Sequence, residues 1–180
     1  MQTSPTAADI RSDVRLGSRP LTGGCLFDVW APFARRVDLM IVSGRAAVHA
    51  MTPTGGGIFS ASVDGVGEGT MYYFSLDGGR GVPDPVSRFQ PEGVHGPPCV
   101  VDPGSFRWGD ACWRGTGLND CVIYALHTGT FTREGTFEAI ILFIGYLRDE
   151  LGINAVELMP VGQFPGGRNW GYDGVGFYAP

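Results

Sequence analysis

The sequence predicts a two-part fold of the β plus α/β class, in which a β-sandwich precedes the opening strand–helix–strand segment of an α/β domain. Five short apolar runs separated by turn residues lie between positions 25 and 76, a spacing typical of a sandwich. After Asp120 the pattern changes to strand, helix and strand. The 29 glycines and 13 prolines separate apolar runs, as a fold with many short strands and turns requires.

The predicted strands of the sandwich are rich in β-branched and aromatic residues and occupy positions 25–30, 36–42, 46–52, 58–63 and 70–76. Asp64-Gly65 and Asp77-Gly78 are hairpin-type dipeptides, and three successive glycines at 55–57 separate two of the runs. Both faces of the segment 69–76 are largely apolar, so we expect this strand to lie well inside the sandwich.

A connector rich in proline, glycine and aromatic residues follows, over positions 83–117. Its apolar side chains are expected to pack across a domain junction because they would otherwise expose a large aromatic area; they are Phe89, Phe106, Trp108 and Trp113. The predicted domain boundaries are a polar tail at 1–16, the sandwich at 17–101, a connector at 102–119 and the α/β part at 120–180.

The α/β part has clear start and stop signals. Strands are predicted at 122–127 and at 153–159, and the second is stopped by Pro160. Between them, Thr136 can cap a helix that Gly152 ends. One helical stripe is expected to be buried: Phe137, Ile140, Ile141, Ile144 and Leu147. A single parallel unit cannot cover its own sheet, so further units are expected beyond this sequence.

Composition excludes several classes of function. The formal net charge is -5 and Lys and Arg form no cluster along the sequence, so the chain has no basic stretch for nucleic acid. No apolar run has the length of a signal peptide core or a membrane span. We therefore expect a cytoplasmic protein that binds neither nucleic acid nor membrane.

No metal or cofactor is predicted. The four cysteines are scattered without a C-x-x-C pair and the three histidines are far apart in sequence, so the cysteines are expected to be buried small apolar residues. The glycines at 55–57 lack the strand-to-helix context of a phosphate loop, which argues against nucleotide binding.

Several motifs resemble the α-amylase family of glycoside hydrolases. Residues 122–131 (VIYALHTGTF) with 134–137 (EGTF) are similar to that family's first barrel strand and loop, and 152–161 (GINAVELMPV) to its second strand. The loop that follows contains FPG at 164–166 and NWGYDG at 169–174. Upstream, WAPFA at 30–34 and the segments 84–88, 93–96 and 101–103 resemble the sandwich and connector of branching, debranching and trehalose-releasing members.

The resemblance implies a starch-binding-type, immunoglobulin-like sandwich followed by the first βαβ part of a truncated TIM (β/α)8 barrel. The motif order matches the trehalose-releasing members, which hydrolyse the α-1,4 bond next to the terminal trehalose of malto-oligosyltrehalose. At positions 163–165 and 172–173, branching enzymes usually have residues that differ from those of this chain. Two alternatives are a glycogen branching or debranching enzyme and a non-catalytic glucan-binding module. One departure from the family is Ala125, where Glu is usual.

The resemblance also implies which part of the site this chain holds. Retaining hydrolysis needs two carboxyl groups roughly 5 Å apart, and in this family later barrel strands supply them. A whole barrel takes about 250 residues, whereas 60 follow Asp120, so no catalytic residue is predicted and the chain alone is expected to be inactive.

The predicted substrate-binding residues, for an α-glucan oligosaccharide, are Tyr172, Asp173 and Trp170. Tyr172 is expected to stack on the sugar ring at the cleavage point, the alternative being that it packs the barrel mouth. Asp173 could accept sugar hydroxyl hydrogen bonds or fix its own turn. For Trp170, packing of the loop is the favoured role. His127 is interpreted as a hydrogen-bonded strand-end residue, the alternative being a distant contributor to the pocket. Glu157 is interpreted as a buried, paired carboxylate.

Overall fold

The computed structural model describes residues 15–180. It divides into two compact units. The first unit contains the described residues up to Ser105 together with residues 176–180, and the second contains Phe106–Val175. Most of the predicted polar tail lies outside the described residues, and residues 176–180 group with the first unit.

The first unit is built from two four-stranded antiparallel sheets with strand orders β1-β2-β6-β5 and β4-β3-β7-β8. Its strands are β1 (Gly17–Leu21), β2 (Gly24–Trp30), β3 (Val37–Ile41), β4 (Ala47–Ala50), β5 (Thr52–Gly55), β6 (Ile58–Asp64), β7 (Tyr72–Leu76) and β8 (Gly81–Val82). Strand β7 lies between two neighbours and buries Tyr72, Phe74 and Ser75, which confirms that the run 70–76 is an inner strand.

Both sheets contribute to one hydrophobic core. In β2, alternate residues point inward, and Cys25, Phe27 and Val29 are nearly inaccessible to solvent, as the two-residue period of a strand dictates. Leu39 of β3 and Phe74 of β7 belong to the same buried cluster. Each such side chain contributes about 1.5–3 kcal/mol through its burial, so this cluster is the main source of the unit's stability.

Each of the five predicted runs contains a strand, but the run at 46–52 divides at Met51. Strand β4 pairs with β3 in one sheet, whereas β5 pairs with β6 in the other. The chain changes sheets at Met51, whose side chain is buried in the shared core. Strand β1 was not predicted because its sequence is polar and contains Pro20, a residue that edge strands tolerate.

The Asp77-Gly78 turn forms the predicted hairpin between β7 and β8. Asp77 and Gly78 both have positive φ, of 51° and 75°, which a type I′ turn requires. The Asp77 carboxylate also accepts hydrogen bonds from the backbone N–H groups of Arg35 and Arg36, both at 2.9 Å. An aspartate at this position therefore fixes the turn and the start of β3 together.

A buried tyrosine–aspartate pair holds the segment after β8 against the core. The Tyr72 hydroxyl donates to Asp84 Oδ2 at 2.7 Å, and the backbone N–H of Val86 donates to Asp84 Oδ1 at 2.9 Å. Asp84 is only 2% exposed. Burial raises the pKa of the Asp84 carboxyl, and these two donors with the charge of Arg88 offset part of that effect.

The second unit is a parallel strand pair with three short helices in its crossover. Its elements are β9 (Ile123–Leu126), α1 (Thr128–Phe131), α2 (Phe137–Ile141), α3 (Ile144–Asp149) and β10 (Ala155–Leu158), with 3-10 turns at Pro103–Ser105 in the first unit and Leu118–Asp120 in this one. The amino ends of the two strands are joined by Asn154, which accepts from the N–H of Val122 and donates to the carbonyl of Asp120, both at 2.7 Å. The predicted βαβ connection is confirmed.

The single helix predicted between Thr136 and Gly152 is instead two helices, α2 and α3, separated at Leu142–Phe143. Because the break interrupts the helical period, the five-residue stripe does not stay on one face. Ile140 and Leu147 are buried. The other three predicted positions are largely exposed: Phe137, Ile141 and Ile144.

The connector aromatics are exposed, contrary to the prediction that they pack. Phe89 is 44% exposed, and Phe106, Trp108 and Trp113 are more so. Phe106 and Trp108 contact each other edge to face, with ring centroids 4.8 Å apart. Only short turns occur between 103 and 120, so this stretch has no helix or strand of its own to cover the rings.

Two of the four cysteines are buried and two are accessible to solvent. Cys25 and Cys99 are buried as predicted, and burial raises the pKa of the Cys25 thiol to about 11. Cys112 is exposed and Cys121 is partly exposed, so the expectation that these two are buried is wrong. Both lie in or next to the exposed stretch that follows residue 103.

Thr136→Ala should destabilise helix α2 by about 1 kcal/mol, because the Thr136 hydroxyl accepts a hydrogen bond from the N–H of Ala139 at 3.2 Å and caps the helix. Amide hydrogen exchange at Ala139 and Ile140 measures the effect directly. Thr130→Ala is the control, since that hydroxyl makes only a 3.5 Å contact with a carbonyl. Equal exchange rates in the two variants would show that the cap contributes nothing.

Candidate functional site

The loops that follow β9 and β10 form the candidate site. Because the two strands are parallel, their carboxyl ends lie at the same edge of the sheet. His127 directly follows β9, and the loop 159–175 follows β10. This edge therefore carries all three residues that the sequence predicts to bind substrate.

A histidine joins the two loops. His127 Nε2 lies 2.6 Å from the backbone carbonyl oxygen of Asn169. Since a carbonyl can only accept, Nε2 must carry the hydrogen and donate it. The interpretation of His127 as a hydrogen-bonded strand-end residue is confirmed, and its partner is the turn that carries Trp170 and Tyr172.

The turn itself is held by the side chain of Asn169. The N–H of Gly171 donates to Asn169 Oδ1, and Asn169 Nδ2 donates to Asp173 Oδ2 at 3.3 Å. The N–H of Val175 donates to the carbonyl of Gln163 at 2.8 Å and closes the base of the loop. Residues 169–173 are thus fixed by local hydrogen bonds in the absence of regular secondary structure.

The structure places the three predicted substrate-binding residues on this one turn with their side chains accessible. Trp170 and Tyr172 are 79% and 77% exposed, and Asp173 is also exposed. The packing role favoured for Trp170 is not seen, since its ring lies open to solvent. Asp173 makes the turn-fixing contact with Asn169.

Two further polar groups lie at this edge. The sequence analysis considered His127 as a distant contributor to the pocket but missed Thr128 as a ligand-binding candidate. His127 Nδ1 and Thr128 Oγ1 are buried and have no hydrogen-bond partner among residues 15–180. Buried polar atoms are normally paired, so an unpaired neighbouring pair marks a place where a water or a ligand hydroxyl can bind. The only signal in the sequence is Thr128 itself, a hydroxyl residue directly after an apolar strand.

Glu157 does not behave as predicted. Its side chain is exposed, and no ion pair involves it within the described part of the chain. The apolar neighbours that suggested burial are themselves accessible in β10, where Val156 and Leu158 are 38% and 42% exposed.

Among the described residues, no group of three His, Cys, Asp or Glu side chains is placed to hold a metal ion. None of the helices described is long and apolar enough to span a membrane.

Gly171→Ala should disturb the candidate site more than Gly166→Ala. Both glycines have positive φ, of 92° and 89°, so each substitution costs about 1–2 kcal/mol in backbone strain. At Gly171 an added Cβ would also lie 3.0 Å from the carbonyl oxygen of Pro160, whereas at Gly166 it meets nothing within 4 Å. Limited proteolysis of the loop 159–175 should be faster in the first variant, and equal rates in both would contradict this packing.

The chain is similar over nearly its whole length to one group of curated proteins. It is 46% identical to malto-oligosyltrehalose trehalohydrolase from Deinococcus radiodurans over 99% of the chain, and 46% identical to the protein of that name from Saccharolobus solfataricus over 87%. The aligned regions span only 29% and 27% of those relatives. A branching enzyme from Streptomyces coelicolor is a weaker relative, 33% identical over 92% of the chain and spanning 24% of that enzyme. No protein-family model matches the sequence.

Solved structures agree with these relatives. A protein from Salmonella typhimurium, described as a candidate alpha amylase, superposes with a TM-score of 0.83 and 45% identity over 92% of the chain and 28% of its own length. A pullulanase from Anoxybacillus superposes with a TM-score of 0.75 over 92% of this chain and 29% of its own, at 24% identity. The resemblance found in the sequence motifs is confirmed, and the mostly β fold matches the N-terminal part of α-amylase family enzymes.

Proposed function

We propose that this chain is the N-terminal part of an α-amylase family glycoside hydrolase that releases trehalose from malto-oligosyltrehalose. The observation that carries the proposal is the 43–46% identity to proteins named malto-oligosyltrehalose trehalohydrolase. The loop motifs at 134–137, 164–166 and 169–174 support it because they lie at the edge of the sheet where a barrel enzyme binds substrate.

The two units take distinct roles in this proposal. The first unit is an immunoglobulin-like, starch-binding-type sandwich, which its two antiparallel sheets support. The second is the first βαβ part of a (β/α)8 barrel. Its parallel pair leaves Ile123, Val156 and Leu158 between 38% and 51% exposed. Apolar strand faces of this kind need a cover, and the remaining strands and helices of a barrel would supply it.

The turn 169–173 forms one wall of the sugar pocket. The exposed ring of Tyr172 provides a flat apolar face for stacking on a pyranose ring. Asp173 and Trp170 flank it, the first as an acceptor for sugar hydroxyl groups. His127 holds this wall through its bond to Asn169. The acid and the nucleophile come from other barrel strands, so this chain positions the sugar and the rest of the barrel performs the cleavage.

Glucan branching is the competing activity within the family. The branching enzyme relative is less similar, at 33% identity against 46%. The chain also carries Gln163-Phe164-Pro165 and Tyr172-Asp173, at positions where branching enzymes usually have other residues. A hydrolase specific for the trehalose end therefore fits the sequence better than a transferase.

Substrate preference tests the proposal. The protein extended to the length of its relatives should cleave malto-oligosyltrehalose faster than a malto-oligosaccharide of equal length with an ordinary reducing end. The 180-residue chain, assayed in parallel with contaminating amylase excluded, should release no trehalose. Equal rates on the two substrates would overturn the specificity, and turnover by the chain alone would show that the site assignment is wrong.

A further inference from the structure

Three arginines from two distant segments line one small cavity of the first unit. The cavity has a volume of about 110 Å³. Its lining residues are Arg15, Leu16, Ser18, Arg19, Pro20, Arg88 and Pro103. We call it the arginine cavity. It lies at β1 of the first unit, and nothing in the proposed hydrolysis uses it.

One of the guanidinium groups is held in place by a hydrogen bond. Arg88 Nη1 donates to the carbonyl oxygen of Ser18 at 3.0 Å, which fixes the side chain across the start of β1. Arg19 Nη2 lies 3.9 Å from Asp28 Oδ2, at the outer limit of an ion pair. β1 itself is paired along its length with β2. The Arg88 donor is therefore organised before any ligand binds, which lowers the entropy cost of binding.

Within residues 15–180, the arginines that line the cavity have few carboxylate partners. Within residues 15–180 neither Arg15 nor Arg88 forms an ion pair, and the contact of Arg19 with Asp28 is long. The charge of Arg88 acts on the buried carboxyl of Asp84, which also accepts hydrogen bonds from the Tyr72 hydroxyl and the Val86 N–H. Arginines that line one cavity carry like charges, so an anion bound in the cavity would reduce their mutual repulsion. This site is positive on a chain whose formal net charge is -5.

We propose that the arginine cavity binds the phosphate group of a small phosphorylated ligand. Guanidinium groups present planar pairs of N–H donors that match the oxygens of phosphate, and they stay charged at all physiological pH values. A volume of 110 Å³ equals about four water molecules at roughly 30 Å³ each, which suits a tetrahedral oxyanion and leaves any attached carbon skeleton outside. Nucleic acid is disfavoured because it needs an extended basic face, and this site is a single cavity.

Titration of the intact chain tests the proposal. Isothermal calorimetry with inorganic phosphate and with glucose 1-phosphate, at constant ionic strength, should show saturable binding in the millimolar range or tighter, while glucose should not bind. The double variant Arg15→Gln/Arg19→Gln should bind phosphate at least about tenfold more weakly, since charge-assisted hydrogen bonds are lost. Arg88 is left intact because it also bonds to Ser18.

The matched control is Arg45→Gln/Arg80→Gln, which removes two exposed arginines of the same unit outside the cavity. It should bind phosphate like the parent chain, and thermal unfolding should confirm that both double variants are folded. Tighter binding of glucose 1-phosphate than of phosphate identifies a phosphomonoester as the ligand, and the reverse identifies the free ion. Absence of saturable binding, or equal weakening in both double variants, would overturn the proposal.

Discussion

Asp84→Ala should lower the free energy of unfolding of the first unit by about 3 kcal/mol. The substitution removes the acceptor of two hydrogen bonds, from the Tyr72 hydroxyl and from the N–H of Val86. Tyr72 is fully buried, so its hydroxyl loses the carboxylate acceptor and keeps only its side-chain hydrogen bond with Ser18. A buried polar group that loses a partner costs about 1–3 kcal/mol. Urea unfolding followed by circular dichroism measures the loss.

The control for this prediction is Glu68→Ala, which removes an exposed carboxylate from the same unit. It should change the free energy of unfolding by less than about 0.5 kcal/mol. A similar loss in both variants would mean that the Tyr72–Asp84 pair does not hold the segment after β8.

The same aspartate predicts a dependence of stability on pH. Burial raises the pKa of Asp84 above its ordinary value of 3.8, so the folded state binds this proton more firmly than the unfolded state. Its contribution to stability is complete below the unfolded pKa and declines as pH rises toward the folded pKa. Asp84→Asn, which cannot ionise, should lack this decline. Parallel slopes of unfolding free energy against pH in the parent and in Asp84→Asn would contradict the raised pKa.

Tyr172→Ala, made in the protein extended to the length of its relatives, should reduce kcat/KM for malto-oligosyltrehalose by roughly thirtyfold or more. The ring offers an apolar face for the sugar, and its burial together with the aromatic contact is worth about 2–3 kcal/mol. Tyr172 is 77% exposed in the structure, so the substitution removes little packing within the chain. The acid and the nucleophile are untouched.

Tyr172→Phe separates the ring from its hydroxyl. It keeps the stacking face and should retain much more activity than the alanine variant. Equal losses in the two variants would assign the role to the hydroxyl. Full activity in both, together with lower stability, would show that the ring only packs the loop.

The sequence predicted those parts of the fold that depend on local pattern. The strand at 25–30, the Asp77-Gly78 hairpin and the Thr136 cap are set by neighbouring residues, and the structure confirms each of them. The change of sheet at Met51 and the break at Leu142–Phe143 were not predicted. Both depend on which tertiary surface lies beside the segment, and the period of a short apolar run does not contain that information.

In the candidate site too, the sequence indicated local features but not the contacts between distant residues. The motif at 169–174 indicated the loop, but the contact that fixes it joins His127 to Asn169, 42 positions apart. The arginine cavity was also invisible in the sequence, because Arg88 reaches Ser18 across 70 positions. Contacts of this kind arise only when the strands have paired, so spacing along the chain cannot indicate them.

The most direct test of the proposed function is a proton NMR spectrum of the products that the extended protein makes from malto-oligosyltrehalose. Hydrolysis next to the terminal trehalose yields free trehalose and a shortened malto-oligosaccharide with a new reducing end. We expect the trehalose anomeric signal and the new reducing-end signals to grow together in equal amounts. New α-1,6 linkage signals without free trehalose would contradict the proposal and would identify a branching enzyme.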